Sequence, residues 1–295
     1  MPALRVVNAT GFERWVHYPY GVGTEEDPYR GEERPPWGLL VAQGLLPGHT
    51  TLRKFGYNGD IDTGDVPTDI WDAGGLYPWS TSADIVSASS SNAGDDQVIS
   101  IQGLNAAGAV ISQNVTLNGR TRVALTTPML RVWRMKNEGA TVNAGDVYVF
   151  SGTAVTDGVP SGASVVKAKM LVGNGQTLMA VYTIPLGKVG FLRRLEVGLG
   201  NDTKQGYVTC HYWTRPYGGV FQVKKAFPLN CTGTTLHADE RMFPDPIPAL
   251  SDIRVSAQDA TDNNNEVSAT FDIVLIDEAQ LTDAFLATIT QPSSV

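Results

Sequence analysis

The sequence predicts an all-β chain, two antiparallel β-sandwich (jelly-roll-like) domains preceded by an irregular N-terminal arm. Two stretches carry that reading. Ala109 to Leu117 and Val267 to Leu275 alternate apolar and polar residues with period two, the mark of a half-buried antiparallel strand. The third observation is composition: 31 glycines and 17 prolines in 295 residues favour many short strands joined by turns over long helices. A hydrophobic fraction of 42% is enough for real cores, and the length suits two β domains. The divisions expected are an arm over 1–53, a first sandwich over 54–175, a second over 176–280 and a tail over 281–295.

In chain order, the arm holds neither a helical nor a strand period for long and is punctuated by prolines. It is nevertheless aromatic, with Phe12, Trp15, Tyr18, Tyr20, Tyr29 and Trp37. Exposed rings of this size cost free energy unless they dock, so a purely solvated linker does not fit. The arm either wraps its own body or lies on another chain. The stretch from Lys54 to Gly75, KFGYNGDIDTGDVPTDIWDAGG, marks the handover to the body. Asn58, Asp60, Asp62 and Asp65, with Gly59 and Gly64 between them, suit an Asx-turn loop. A calcium loop is the sharper alternative. From Asn58, however, the sixth position is Thr63 instead of glycine, and the twelfth is Asp69 instead of a bidentate glutamate.

The first block reads as a meander. Ser87 to Gly94 is a small-residue loop, followed by strands at Val98–Gln102, Ala109–Leu117, Thr121–Leu125, Met129–Met135 and Val147–Phe150. Asn118-Gly119 is a strong hairpin signal, because both residues tolerate the positive φ of a type I′ turn. Ser151 to Gly175 is rich in Gly, Ser and Thr and reads as a linker or strand exchange. In the second block, strands are expected at Gln176–Ile184, Val189–Leu199, Tyr207–Arg215, Val220–Phe227, around Ile253–Ala257 and at Val267–Leu275. The proline-rich run 242–248 suits an edge or a crossing loop, not a central strand. Leu281 and Phe285, four apart, suggest a short helix near the end.

A net charge of −8 argues against sequence-independent nucleic-acid binding, which needs a basic stripe. No apolar run reaches the length of a membrane-crossing helix, and the first residues lack a signal peptide's apolar core, so cytoplasmic synthesis is expected. Cys210 and Cys231 sit in no metal-binding spacing and suit buried free thiols, although a bridge across neighbouring strands is geometrically open.

Catalytic motifs are not legible. His17, His49, His211 and His237 are scattered, and no nucleophile elbow, P-loop or dinucleotide fingerprint occurs. Cys210 and His211 are adjacent on a strand and so point to opposite faces, which rules out a thiol–imidazole pair. No catalytic residue, cofactor or metal is therefore expected. One strand face is chemically distinctive: Tyr207, His211, Trp213, Arg215 and Tyr217 line up with period two. Such a face suits the centre of a subunit interface, where Trp, Tyr and Arg are enriched, or a platform on which a sugar ring stacks.

The segments FGYNGDIDTG and IWDAGG, then QGLNAAG, VTLNGRTRVALTTPMLRVWR, GQTLMAVYTIPLGK, RPYGGVF and VSATFDIVLI, resemble in order a family of tailed-bacteriophage virion structural proteins, found especially in marine and freshwater phages. The resemblance covers about Lys54 to Asp277 and leaves out the first fifty residues. It implies a non-enzymatic virion component: capsid decoration, collar or tail fibre, made in the host cytoplasm. Partners implied are other virion proteins (capsid, portal or neck, or tail) and the chain itself as a symmetric homo-oligomer, with a trimer favoured. Neither nucleic acid nor membrane is expected as a partner. The expected interface residues are Phe12, Trp15, Tyr18, Tyr20, Trp37, Tyr207, Trp213, Arg215 and Tyr217. The competing expectation is a host-recognition module that binds cell-surface glycans through the second domain.

Overall fold

The computed structural model describes residues 3–7, 13–17, 37–64, 66–241 and 244–290. The chain divides into two units, Met1–Pro47 and Gly48–Val295. In the first, β1 (Ala3–Val7) pairs antiparallel with β2 (Glu13–His17), and α1 (Trp37–Ala42) follows. The expected arm is thus less irregular than its sequence, because strands of five residues are too short to establish a period. Phe12, Tyr18 and Tyr20 lie outside the described residues.

The second unit is antiparallel β, as expected. Its strands are β3 (His49–Ile61), β4 (Thr68–Asp69), β5 (Ile85–Ser90), β6 (Val98–Asn105), β7 (Val110–Thr116), β8 (Val123–Asn137) and β9 (Val147–Ser151). They continue with β10 (Val155–Thr156), β11 (Val159–Pro160), β12 (Val165–Met170), β13 (Val181–Thr183), β14 (Lys188–Arg215) and β15 (Gln222–Glu240). The last are β16 (Pro246–Ile247), β17 (Asp252–Gln258) and β18 (Asn265–Asp277), followed by α2 (Asp283–Thr290). One sheet has the order β12-β9-β5-β8-β6-β7. The other has β13-β17-β14-β18-β3, with β15 and β16 also on β14 and β4 on β17.

The second sheet is organised by β14, 28 residues long. Its first half pairs with β18, from Lys188↔Asp277 to Gly200↔Glu266, and its second half with β17, from Thr209↔Gln258 to Arg215↔Asp252. β15 follows it from Arg194↔Glu240 to Thr214↔Gln222, and the register breaks between Asn201 and Gln205. The segment opposite, between β17 and β18, turns through positive φ at Asp259 and Asn264. Long strands that bend in step let one sheet enclose its own core. Leu195, Val197 and Leu199 from the first half accordingly join Val208, Cys210 and Tyr212 from the second in a single buried cluster. Val267, Ala269, Phe271, Ile273 and Leu275 complete it, as their alternation requires.

Four local expectations change. Ile85–Ser90 is an interior strand, paired with both β8 and β9, instead of part of a loop. Its small side chains serve close approach: Ser87 Oγ donates to the Gly152 carbonyl and Ser89 Oγ to the Gly158 carbonyl, both at 2.7 Å. A Cβ at Gly158 would stand 1.8 Å from the Ser90 oxygen. Asn118-Gly119 does turn the chain, with Gly119 at φ 54°, but β7 and β8 are not ladder partners; both pair with β6. The turn is instead anchored on a neighbouring loop, through Gly119 N–H to the Asp95 carbonyl and Ser90 N–H to the Gly119 carbonyl. The soft 151–175 segment contains β12, which edges the first sheet. β15 extends well beyond Phe227 because an edge strand tolerates Pro228 and carries polar side chains on its exposed face. In β7, Val115 is buried as expected while Ile111 is only partly buried.

β3, expected to open the first block, pairs along its length with β18 in the second sheet, reaching back to His49. That places Lys54 in a buried position, where its Nζ donates to the Trp133 carbonyl of β8. Burial, reinforced by the nearby Arg134 charge, pushes the Lys54 ammonium down to about 7. The folded state then binds fewer protons than the unfolded chain between about pH 7 and 10.5, so stability should rise with pH across that window. Lys54→Met is expected to abolish the rise, on the order of 2–4 kcal/mol, in urea unfolding at pH 7 and pH 10. An unchanged pH slope in the variant would remove Lys54 as its source.

Candidate functional site

The densest chemistry lies where the two sheets meet. Asp252, the first residue of β17, is fully buried. Its Oδ1 accepts from Arg131 Nε at 3.0 Å and Thr183 Oγ1 at 2.6 Å, and its Oδ2 from Arg131 Nη2 at 3.1 Å and Arg215 Nε at 2.8 Å. Arg131 comes from β8 in the other sheet, so this bidentate pair joins the two sheets. Arg131 also donates to the Ser80 carbonyl at 2.5 Å and the Leu130 carbonyl at 3.0 Å. With so many charge-assisted bonds, neither ion is left short of partners in a dry environment.

A second pair lies two residues along β17. Arg254 Nη1 donates to Asp69 Oδ1 at 3.0 Å, while Asp69 Oδ2 accepts the Tyr77 N–H at 2.8 Å. Burial pushes the Asp69 carboxyl up to about 6, against the opposing pull of Arg254 and the Tyr77 amide. Aromatic rings stand between the guanidinium groups. Trp79 lies 5.3 Å from Arg131 and 5.4 Å from Arg215; Phe221 lies 4.4 Å from Arg215 and 4.5 Å from Arg254; Trp213 lies 4.8 Å from Arg254. Arg131, Trp79, Arg215, Phe221, Arg254 and Trp213 therefore alternate cation and ring through one continuous stack. Each step is worth roughly 0.5–2 kcal/mol, more where water is excluded.

The hairpin tip joining β14 to β15 is fastened to this stack. Its Phe221 sits between two arginines, and its Tyr217 hydroxyl reaches the Thr81 carbonyl at 3.4 Å. The tip is the RPYGGVF segment, whose glycines close the turn, Gly218 at φ 70°.

The structure brings together two of the expected interface residues, Trp213 and Arg215. Trp213 is half-buried, with its Nε1 donating to Ser256 Oγ at 2.8 Å. Tyr217 is 49% exposed, and Tyr207, half-buried, lies further along β14 and accepts from Thr209 Oγ1 at 3.3 Å. Trp15 lies in β2 opposite Arg5, and Trp37 opens α1 with 45% exposure. Asp69, Trp79, Arg131, Asp252 and Arg254 were not found by sequence reading. They are separated by up to 185 positions, and only a buried charge opposite another on a strand face would have pointed to them.

Asn58 and Asp60, expected in a loop, lie instead at the end of β3, where Asp60 N–H donates to Asn58 Oδ1 at 3.0 Å as the β3–β18 register shifts. Asp65 lies outside the described residues, and among those described no three His, Cys, Asp or Glu side chains form a metal-binding group. Cys210 and Cys231 are free and buried, and burial pushes the Cys210 thiol up to about 12. His211 lies half-buried on the opposite face, beside Trp213.

Chemically, this arrangement clamps. Removing Asp252 would leave Arg131 buried without its counter-charge, so Asp252→Ala should destabilise the body by about 3–5 kcal/mol in urea unfolding. A cost below about 1 kcal/mol would show that the pair contributes little to sheet docking.

No protein-family model matches the chain, and no curated protein matches it. Among solved structures it is similar to that of infectious bursal disease virus, Gt strain, at 11% identity over 82% of both chains with a TM-score of 0.18. The Gx strain gives 10% identity over 80% of this chain and 74% of that one, TM-score 0.22. The same virus's VP2 subviral particle gives 12% over 79% and 73%, TM-score 0.18. All three are viral structures; at TM-scores this low the likeness carries no argument.

Proposed function

We propose that the chain is a non-enzymatic structural component of a tailed-phage virion, attached to capsid, neck or tail through its N-terminal unit and assembled as a symmetric oligomer. The observation that carries this reading is the apolar display in that unit. Trp37, Leu39 and Leu45 are 45%, 47% and 61% exposed within nine residues. Large apolar groups so close together gain about 25 cal/mol per Å² when another surface covers them. The ordered run of phage-like motifs from Lys54 to Asp277 supports the same reading. So does a site whose charges are paired within the chain instead of open to a substrate.

The test is a truncation beginning at Gly48, which spares β3. The shortened chain should keep a β-type circular dichroism spectrum and fail to join particles. Full occupancy on the particle would reject docking by this segment.

A second reading, host recognition through surface glycans, is favoured by one feature: a cavity beside the β14–β15 tip. Trp213 cannot separate the readings, because Arg254 and Ser256 already engage it within the protomer. Tyr217 can. Tyr217→Ala should weaken self-association in sedimentation at micromolar concentration while changing protomer stability by less than about 1 kcal/mol. Unchanged sedimentation would take Tyr217 out of the interface.

A further inference from the structure

The strand face opposite the cation–ring stack borders the cavity, about 590 Å³ in volume. That size falls within the range of small-molecule sites. Leu192, Ile247, Pro248 and Ile289 give it an apolar part of its lining. Thr214, Arg215, Gln222, Lys224, Arg241 and Asp245 give it a polar part. Three cationic residues and one carboxylate thus line the cavity, in a chain of net charge −8. Arg215 is answered by Asp252, and Arg241 by Asp245 at 3.1 Å and Asp239 at 3.5 Å. Lys224 makes no ion pair among the described residues and donates only to Gln222 Oε1, at 3.1 Å. In the wall, the Tyr212 hydroxyl is buried without a hydrogen-bond partner.

We infer that this cavity binds a sugar acid, a ring that carries both hydroxyls and a carboxylate. The carboxylate would meet Lys224, whose charge is the one left uncompensated. Thr214 and Gln222 offer hydroxyl and amide groups to the ring's hydroxyls. The apolar lining residues accept the C–H face of the ring, since a pyranose is apolar above and below and polar at its rim. A neutral sugar would leave the Lys224 ammonium unused, and a bare carboxylate would leave the apolar lining uncovered. The inference rests on the host-glycan reading and narrows it to acidic sugars.

The test titrates the full chain with D-glucuronate, D-glucose and acetate, followed by saturation-transfer NMR. Glucuronate should bind, with glucose and acetate at least ten-fold weaker. Lys224→Gln should lower glucuronate affinity about ten-fold. Gln222→Trp, at an exposed position on the rim, should block it. Both variants should keep the thermal midpoint of the parent. Equal binding of glucose and glucuronate would overturn the acidic specificity while leaving glycan recognition standing. Binding of no sugar would remove both. Acetate binding as tightly as glucuronate, or glucuronate binding untouched by either substitution, would also overturn the assignment.

Discussion

Everything in the body turns on how a buried carboxylate, Asp252, is satisfied. An isolated ion in that position would cost several kcal/mol in lost hydration. Four hydrogen bonds from Arg131, Thr183 and Arg215 offset this, and their donors come from three strands in two sheets. The carboxylate accepts all four only when β8, β13, β14 and β17 stand in one arrangement. A purely apolar junction of the same shape would be as stable or more so, whereas removing one partner of the pair leaves the other charge buried and uncompensated.

The aromatic stack extends that arrangement outward. Guanidinium groups that are planar and already fixed by carboxylates present their faces to rings with little further entropy loss. Trp79 and Phe221 are consequently each held by two arginines. Phe221 belongs to the hairpin tip, so the stack also fixes where a 28-residue strand ends and its 19-residue partner begins. This gives a physical content to the RPYGGVF segment: its arginine pairs with Asp252, its tyrosine reaches Thr81, its glycines turn the chain, and its phenylalanine closes the stack.

What the sequence made legible was one-dimensional. The alternation of Val267 to Leu275 shows which face is buried because strand neighbours must point to opposite sides, and that rule needs no knowledge of partners. The same rule placed Cys210 and His211 on opposite faces. Ile85–Ser90 was unreadable because, Ile85 apart, its buried side chains are serine and alanine, which allow close backbone approach instead of supplying apolar area. Asn118-Gly119 marked a turn correctly but not the pairing, which is set by β6 entering between the two strands it joins. The site was half legible. Trp213 and Arg215 stood out as an aromatic–cation strand face, while Asp252, Arg131 and Asp69 looked like ordinary surface charges until the sheets were brought together.

The two faces of the last part of β14 divide the labour. Residues 211, 213 and 215 face the stack, where their charges and rings are consumed in holding the sheets. Residues 212 and 214 face the cavity, with β16 and α2 across from them. A residue in a strand cannot serve both, so a binding function on the cavity side is open to change without disturbing the junction, apart from Arg215. Arg215 is the exception: it pairs with Asp252 from the end of the strand and also lines the cavity. Any ligand that drew its guanidinium away would compete with the Asp252 bond.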